Sequence, residues 1–208
     1  MSDHNPNSGS DHEWDDAGEL AWNESDWEHY LCAQDGVIQR YLTAYDQLAG
    51  HPKRIDETAR LMGWDREDWS TDPADDPAGP YTLHQNPVFI ATRALFLGLR
   101  RDCDRIEAGP AAALQVVLGR AESQALLAIQ ALDLGDYGLA VSLFKRALRE
   151  LNSALAQPLG VTAAPAGPER PPELVLPWLF DLREIWLRVM NECRDELACP
   201  FEDEDDEE

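Results

Sequence analysis

Carboxylates, histidines and cysteines are the side chains of this chain that could do chemistry, and their spacing decides which chemistry. A dinuclear metal site in a helical bundle draws on Glu-x-x-His pairs from two helices plus two further glutamates. No Glu-x-x-His occurs in the 208 residues; the nearest pattern is Asp26-x-x-His29, present once. Three residues apart on a helix, Asp26 and His29 share a face and could hold a cation if carboxylates from other helices joined them. They are the candidate metal ligands, and a carboxylate/His metal-binding helical-bundle protein or enzyme is the alternative function. The other histidines (His4, His12, His51 and His84) fall in tails or loops. Cys32, Cys103, Cys193 and Cys199 form no Cys-x-x-Cys pair and are too scattered for a zinc site. They read as free thiols, buried or half-buried. With no nucleophile elbow, phosphate loop or Cys/His pairing, the sequence offers no catalytic residue and implies no cofactor.

The charge pattern says more. Residues 1–31 carry nine acids and no Lys or Arg; residues 64–80 carry six acids and one Arg; residues 201–208 carry seven acids and no base. Those 22 acids minus one Arg give −21 of the net −23, leaving 18 acids against 16 bases elsewhere. The chain is a nearly neutral body with acidic appendages. Residues 1–22 have too little apolar surface to offset ordering entropy and read as a disordered acidic segment; residues 199–208 read as an acidic tail. The sequence starts with no basic and then apolar leader, and no apolar run approaches the ~20 residues of a membrane span. A cytoplasmic location and no membrane partner are the expectations.

Between the acidic ends, residues 23–198 predict a helical bundle domain. Trp27, Leu31, Ile38, Tyr41, Leu42, Tyr45 and Leu48 recur at helical spacing from about residue 25, and Gly50 and Pro52 end that helix. A short helix follows at about 53–62, then a Pro/Asp-rich loop over 64–86. Further helices are predicted over 87–107 (Ile90, Ala94, Leu97 and Gly98 inward), 110–133 (Leu114, Val117, Leu118, Ala121, Ala125, Ala128, Leu132) and 136–156 (Ala140, Leu143, Phe144, Ala147, Leu151, Leu155). After a Pro-rich linker at 158–172, a last helix over 174–198 points Leu182, Ile185, Trp186, Val189, Cys193 and Leu197 inward. Asp181, Glu184, Glu192 and Asp195, with Arg183, Arg188 and Arg194 among them, occupy its wet side. No segment reads as a strand. The fold class is all-α, a four- to five-helix up-down bundle with acidic disordered termini.

Two stretches resemble known motifs. Gly135-Asp136-Tyr137-Gly138-Leu139-Ala140, followed by Phe144 and Ala147, resembles the second helix of a tetratricopeptide repeat; with a partial match in the preceding helix, the likeness covers about residues 120–152. By itself the stretch reads as a tightly packed helical hairpin, with Gly135 for the turn, small Ala where the helices approach and Phe144 as a knob; the family resemblance implies a protein-binding scaffold, and Tyr137 and Phe144 are the candidate contact residues. A solenoid needs about three repeats to bury a continuous face, and no second copy occurs. Residues 55–64 resemble the first half of a helix-turn-helix, but the helix that would read DNA begins Asp65-Arg66-Glu67-Asp68. Carboxylates there repel phosphates, so no direct nucleic-acid partner is expected.

Aromatic side chains set among acids complete the candidates. Trp14 and Trp22 lie in the N-terminal acidic segment, and Glu202, Asp203, Glu204, Asp205 and Asp206 form the tail. Such segments can steer and dock on a basic surface. The expected function is a non-catalytic cytoplasmic interaction or scaffold protein. A groove on the hairpin at 110–156 would supply the contact, and the partner would be a protein with a basic surface.

Overall fold

The computed structural model describes residues 22–65, 83, 85–105, 108–156 and 171–198. Six helices make up its regular structure: α1 (Glu24–Gln47), α2 (Arg54–Met62), α3 (Pro87–Cys103), α4 (Ala108–Asp133), α5 (Tyr137–Leu155) and α6 (Pro171–Ala198). Among the described residues the protein is all-α, and no helix is long and apolar enough to cross a membrane. Trp14, residues 202–206, most of the 64–86 stretch and the greater part of the 158–172 linker lie outside the described residues.

Local chemistry sets the helix ends. Asn23 caps α1: its side chain accepts from the Ser25 and Asp26 amides at 2.8 and 3.1 Å, and the Asp26 carboxylate accepts from the Asn23 amide at 3.0 Å. This reciprocal capping box satisfies donors that a helix start leaves open. Asn86 caps α3, with Pro87 in its first turn. Between α4 and α5 the chain reverses at Gly135, whose φ of 74° suits a residue without a Cβ. Asp136 then accepts from the Leu139 amide at 2.9 Å and starts α5.

Cross-helix contacts fix the directions. Trp178 reaches Asp102 and Trp186 reaches Thr92, so α6 runs opposite to α3. Gln115 meets Asp104 while Glu122 meets Arg93 and Arg100, so α4 also runs opposite to α3. The Gly135 turn sends α5 back along α3, where Phe144 meets Trp186 of the oppositely directed α6. Helix α1 is parallel to α3, since Leu42 lies beside Gly98 and Asp46 beside Arg101.

Helix α3 packs against α1, α4 and α6, and every residue from Phe89 to Cys103 is buried except Arg93, Leu97, Arg100 and Arg101. The α4–α5 contact is built on small side chains: Ala121, Ala125 and Ala128 face inward, as do Ala140, Ala147 and Ala154, each fully buried. Alanines at a helix contact let the backbones approach closely, and Phe144, Leu151 and Trp186 fill the space beyond them.

Four expected core positions are on the surface. The register of Leu42 against Gly98 sets residue 31 level with the start of α3, so α1 before that point has no α3 beside it. Trp27 and Leu31 are accordingly 37% and 47% exposed, and Tyr30 is the buried residue of those turns. Leu97 shares a face with Arg93 and Arg100 and is half covered. Leu197 lies in the last turn of α6 and is 57% exposed.

Candidate functional site

Within the bundle, polar side chains form closed sets. The Tyr45 hydroxyl donates to Asp181 at 2.6 Å, and Arg54 donates to the same carboxylate oxygen at 2.9 and 2.7 Å while its guanidinium lies 4.1 Å over the Tyr45 ring. Burial first, and then the bond and charge of Asp181, push the Tyr45 phenol well above its ordinary value. Asp181 therefore ties α1, α2 and α6 together instead of lying on the wet side of α6, as its helical phase suggested. The Trp178 indole donates to buried Asp102 at 2.9 Å, and the Trp186 indole donates to buried Thr92 at 3.2 Å. Glu122, almost fully buried, accepts from Arg93 at 2.5 Å and also from Arg100. On the outside Arg101 pairs with Asp46 at 2.7 Å, and Arg188 with Asp56 and Glu184 at 2.5 and 2.9 Å. These sets hold helices; every charge in them has a partner already.

The outward face of the α4–α5 hairpin is different. Leu139, Ser142, Arg146, Arg149 and Ser153 follow one another along α5 at spacings of three and four, all exposed, with Lys145 beside them. Arg120 of α4 stands across the groove. It lines a depression of about 320 Å³ together with Gln124, Arg146, Arg149 and Glu150. A second depression of about 490 Å³ lies along α5 between Lys145, Leu148, Arg149, Asn152, Ser153 and Ala156. Among the described residues Arg120, Lys145, Arg146 and Arg149 make no ion pair. Glu150 is the sole carboxylate lining either depression, and the Gln124 side-chain carbonyl is buried there without a hydrogen-bond partner. In a chain of net charge −23 this is a concentration of positive charge, four cations against Glu150. Chemically it can hold carboxylates or other anions, and it can do so without dismantling any internal pair.

The chain matches no known protein-family model, no curated protein and no solved structure. The likeness of residues 135–147 to a tetratricopeptide helix thus stays a likeness of one hairpin.

The residues singled out by sequence are dispersed. Trp22 packs edge-on against Trp27 at 4.9 Å and tilted against Tyr30 at 5.5 Å, so it belongs to an aromatic set at the start of α1. Tyr137 is exposed at the start of α5, whereas Phe144 is fully buried against Trp186 and its ring faces the core rather than a partner. Asp26 is engaged in the capping box and His29 is exposed; among the described residues no three His, Cys, Asp or Glu side chains come together as a metal site would need. Of the cysteines, Cys103 and Cys193 are buried thiols and Cys32 is exposed; burial pushes Cys103 up to about 11. The cationic face itself went unread, although a signal was available: apart from Glu150, no acid stands three or four residues from Lys145, Arg146 or Arg149.

Proposed function

We propose that the protein is a non-catalytic interaction or scaffold protein: a helical bundle of up-down design whose acidic segments steer a partner with a basic surface. One observation carries this reading. Within the bundle Asp46, Asp56, Asp102, Asp181 and Glu122 each already hold an arginine or an indole. Residues 1–31, 64–80 and 201–208 hold 22 of the chain's 40 acids against one Arg, so nearly all of the net charge resides in them. Clustered carboxylates can exchange their counterions for a basic surface, which raises association rates in a salt-dependent way.

The geometry changes one part of the expectation. The hairpin groove that would have received the partner is itself cationic, and like charges facing each other oppose docking. The basic partner is thus assigned to the acidic segments alone. The alternative metal-binding reading gains no support, because Asp26 is occupied in capping α1.

The test is binding of an arginine-rich peptide to the full chain at about 50 and 300 mM salt, beside a variant with the acids of residues 202–208 changed to their amides. Tight, salt-sensitive binding that weakens at least tenfold in the variant is expected. Equal binding by the variant, or no salt dependence, would defeat the proposal.

A further inference from the structure

We propose that residues 201–208 dock on the cationic face of α5 in the same molecule, so that the protein sequesters its own acidic tail. The inference stands apart from the function above, since the contact would form in the isolated chain with no partner present.

Charge supplies the first argument. Seven carboxylates follow Phe201, and Lys145, Arg146, Arg149 and Arg120 offer four cations that no described residue engages. Position supplies the second. Helix α6 runs opposite to α5, with Trp186 beside Phe144; twelve residues further along, Ala198 arrives level with the α4–α5 turn. From there Arg146 and Arg149 lie about 15–25 Å along α5 at 1.5 Å per helical residue. An extended strand covers about 3.3 Å per residue, so residues 202–208 span that distance. The order of side chains matches as well. The end of the bundle that α6 reaches exposes Leu134, Leu139 and Leu197, with Leu134 85% exposed. Phe201 would meet those leucines first, and the carboxylates would then fall beside the cations. A short tether also favours the chain's own segment over one from solution, because the effective concentration is of millimolar order for short linkers.

The docked state would withhold the tail from any basic competitor and neutralise the one cationic surface described. A partner must then displace the face before it can use the tail.

Lysine content makes the test clean. The chain has two lysines, Lys53 and Lys145, so zero-length carbodiimide coupling of the dilute full-length protein reports which amine the tail carboxylates touch. The expected product is a monomeric species joining Lys145 to residues 202–208, at least tenfold more abundant than any Lys53 product. It should fall at least tenfold in 1 M salt, where the screening length is about 3 Å. The double variant Arg146→Glu/Arg149→Glu keeps the Lys145 amine and should lose the product to the same degree. Equal coupling to Lys53, or full coupling in the double variant, would overturn the proposal. Coupling confined to a dimeric species would overturn docking within one chain and assign the face to a second copy.

Discussion

Helices α3 and α5 carry three cations each and treat them in opposite ways. On α3, Arg93 and Arg100 reach the buried Glu122 of α4, and Arg101 reaches Asp46 of α1. On α5, Lys145, Arg146 and Arg149 reach no carboxylate among the described residues. The difference follows from position in the bundle. Helix α3 has neighbours α1, α4 and α6, so a cation at its margin is always near another helix that can supply an acid. Among the described residues helix α5 packs chiefly against α4 and α6, and its remaining side carries a row of exposed residues. Charge on the central helix serves assembly, whereas charge on the outer helix is left available.

The sharpest way to test that division is to injure the centre. Trp186 is fully buried, meets Phe96 and Phe144, and donates to Thr92. Trp186→Ala removes that volume and orphans a buried hydroxyl, and it should cost about 3–5 kcal/mol in denaturant unfolding. A loss below about 1 kcal/mol would mean that α6 is not seated on α3 as described. Next in size comes Gly98→Ala. A Cβ there would run into the Trp178 ring and come within 3.0 Å of Leu42. The gain in helix propensity of roughly 1 kcal/mol is set against overpacking that typically costs about 1–3 kcal/mol. The ring is locked by its bond to Asp102, so the clash should win, and thermal unfolding should show a lowered midpoint.

These contacts also mark how far the sequence could be read. Helical periodicity found the long helices and most of the core, because an amphipathic stripe depends only on neighbours along the chain. Ile38, Tyr41, Phe144, Leu151 and Trp186 were all legible in this way. Asp181 was not: its phase on α6 put it with Glu184 and Glu192 on the wet side, and only the arrival of Tyr45 and Arg54 from other helices gives it a role. Trp27 failed for the converse reason. It keeps the phase of the α1 stripe, but α1 extends past the helix it packs on. The cationic face of α5 could have been found by asking of each cation whether an acid stands within a turn. Its groove could not, since Arg120 and Gln124 come from the preceding helix.

A smaller effect separates the two regions by pH. Burial and Asp181 raise the phenols of Tyr45 and Tyr41 above their ordinary value of about 10. The folded protein keeps these protons where the unfolded chain releases them. The tyrosine contribution to stability is thus fully present below about pH 10 and falls above it by about 1.4 kcal/mol per pH unit for each tyrosine. Tyr45→Phe should cost about 1 kcal/mol at neutral pH, for the lost bond to Asp181, and should lower the alkaline slope by about 1.4 kcal/mol per pH unit. An unchanged slope would place the titration elsewhere.

The smallest expected effect is the most informative about α5. Arg146→Gln and Arg149→Gln each remove a charge that no carboxylate of the folded body answers, and both side chains are exposed. Docked tail carboxylates would lie on the surface, where ion pairs contribute about 0–1 kcal/mol and salt screens them. Removing mutual repulsion among Lys145, Arg146 and Arg149 acts in the opposite sense. The two terms are of similar size, so each variant should unfold within about 0.5 kcal/mol of the parent, by chemical denaturation at moderate salt. A loss of 2 kcal/mol from either would show that the face is built into the fold in the manner of Arg93 and Arg100. The contrast between α3 and α5 would then collapse, and with it the case that the outer helix holds its charge in reserve.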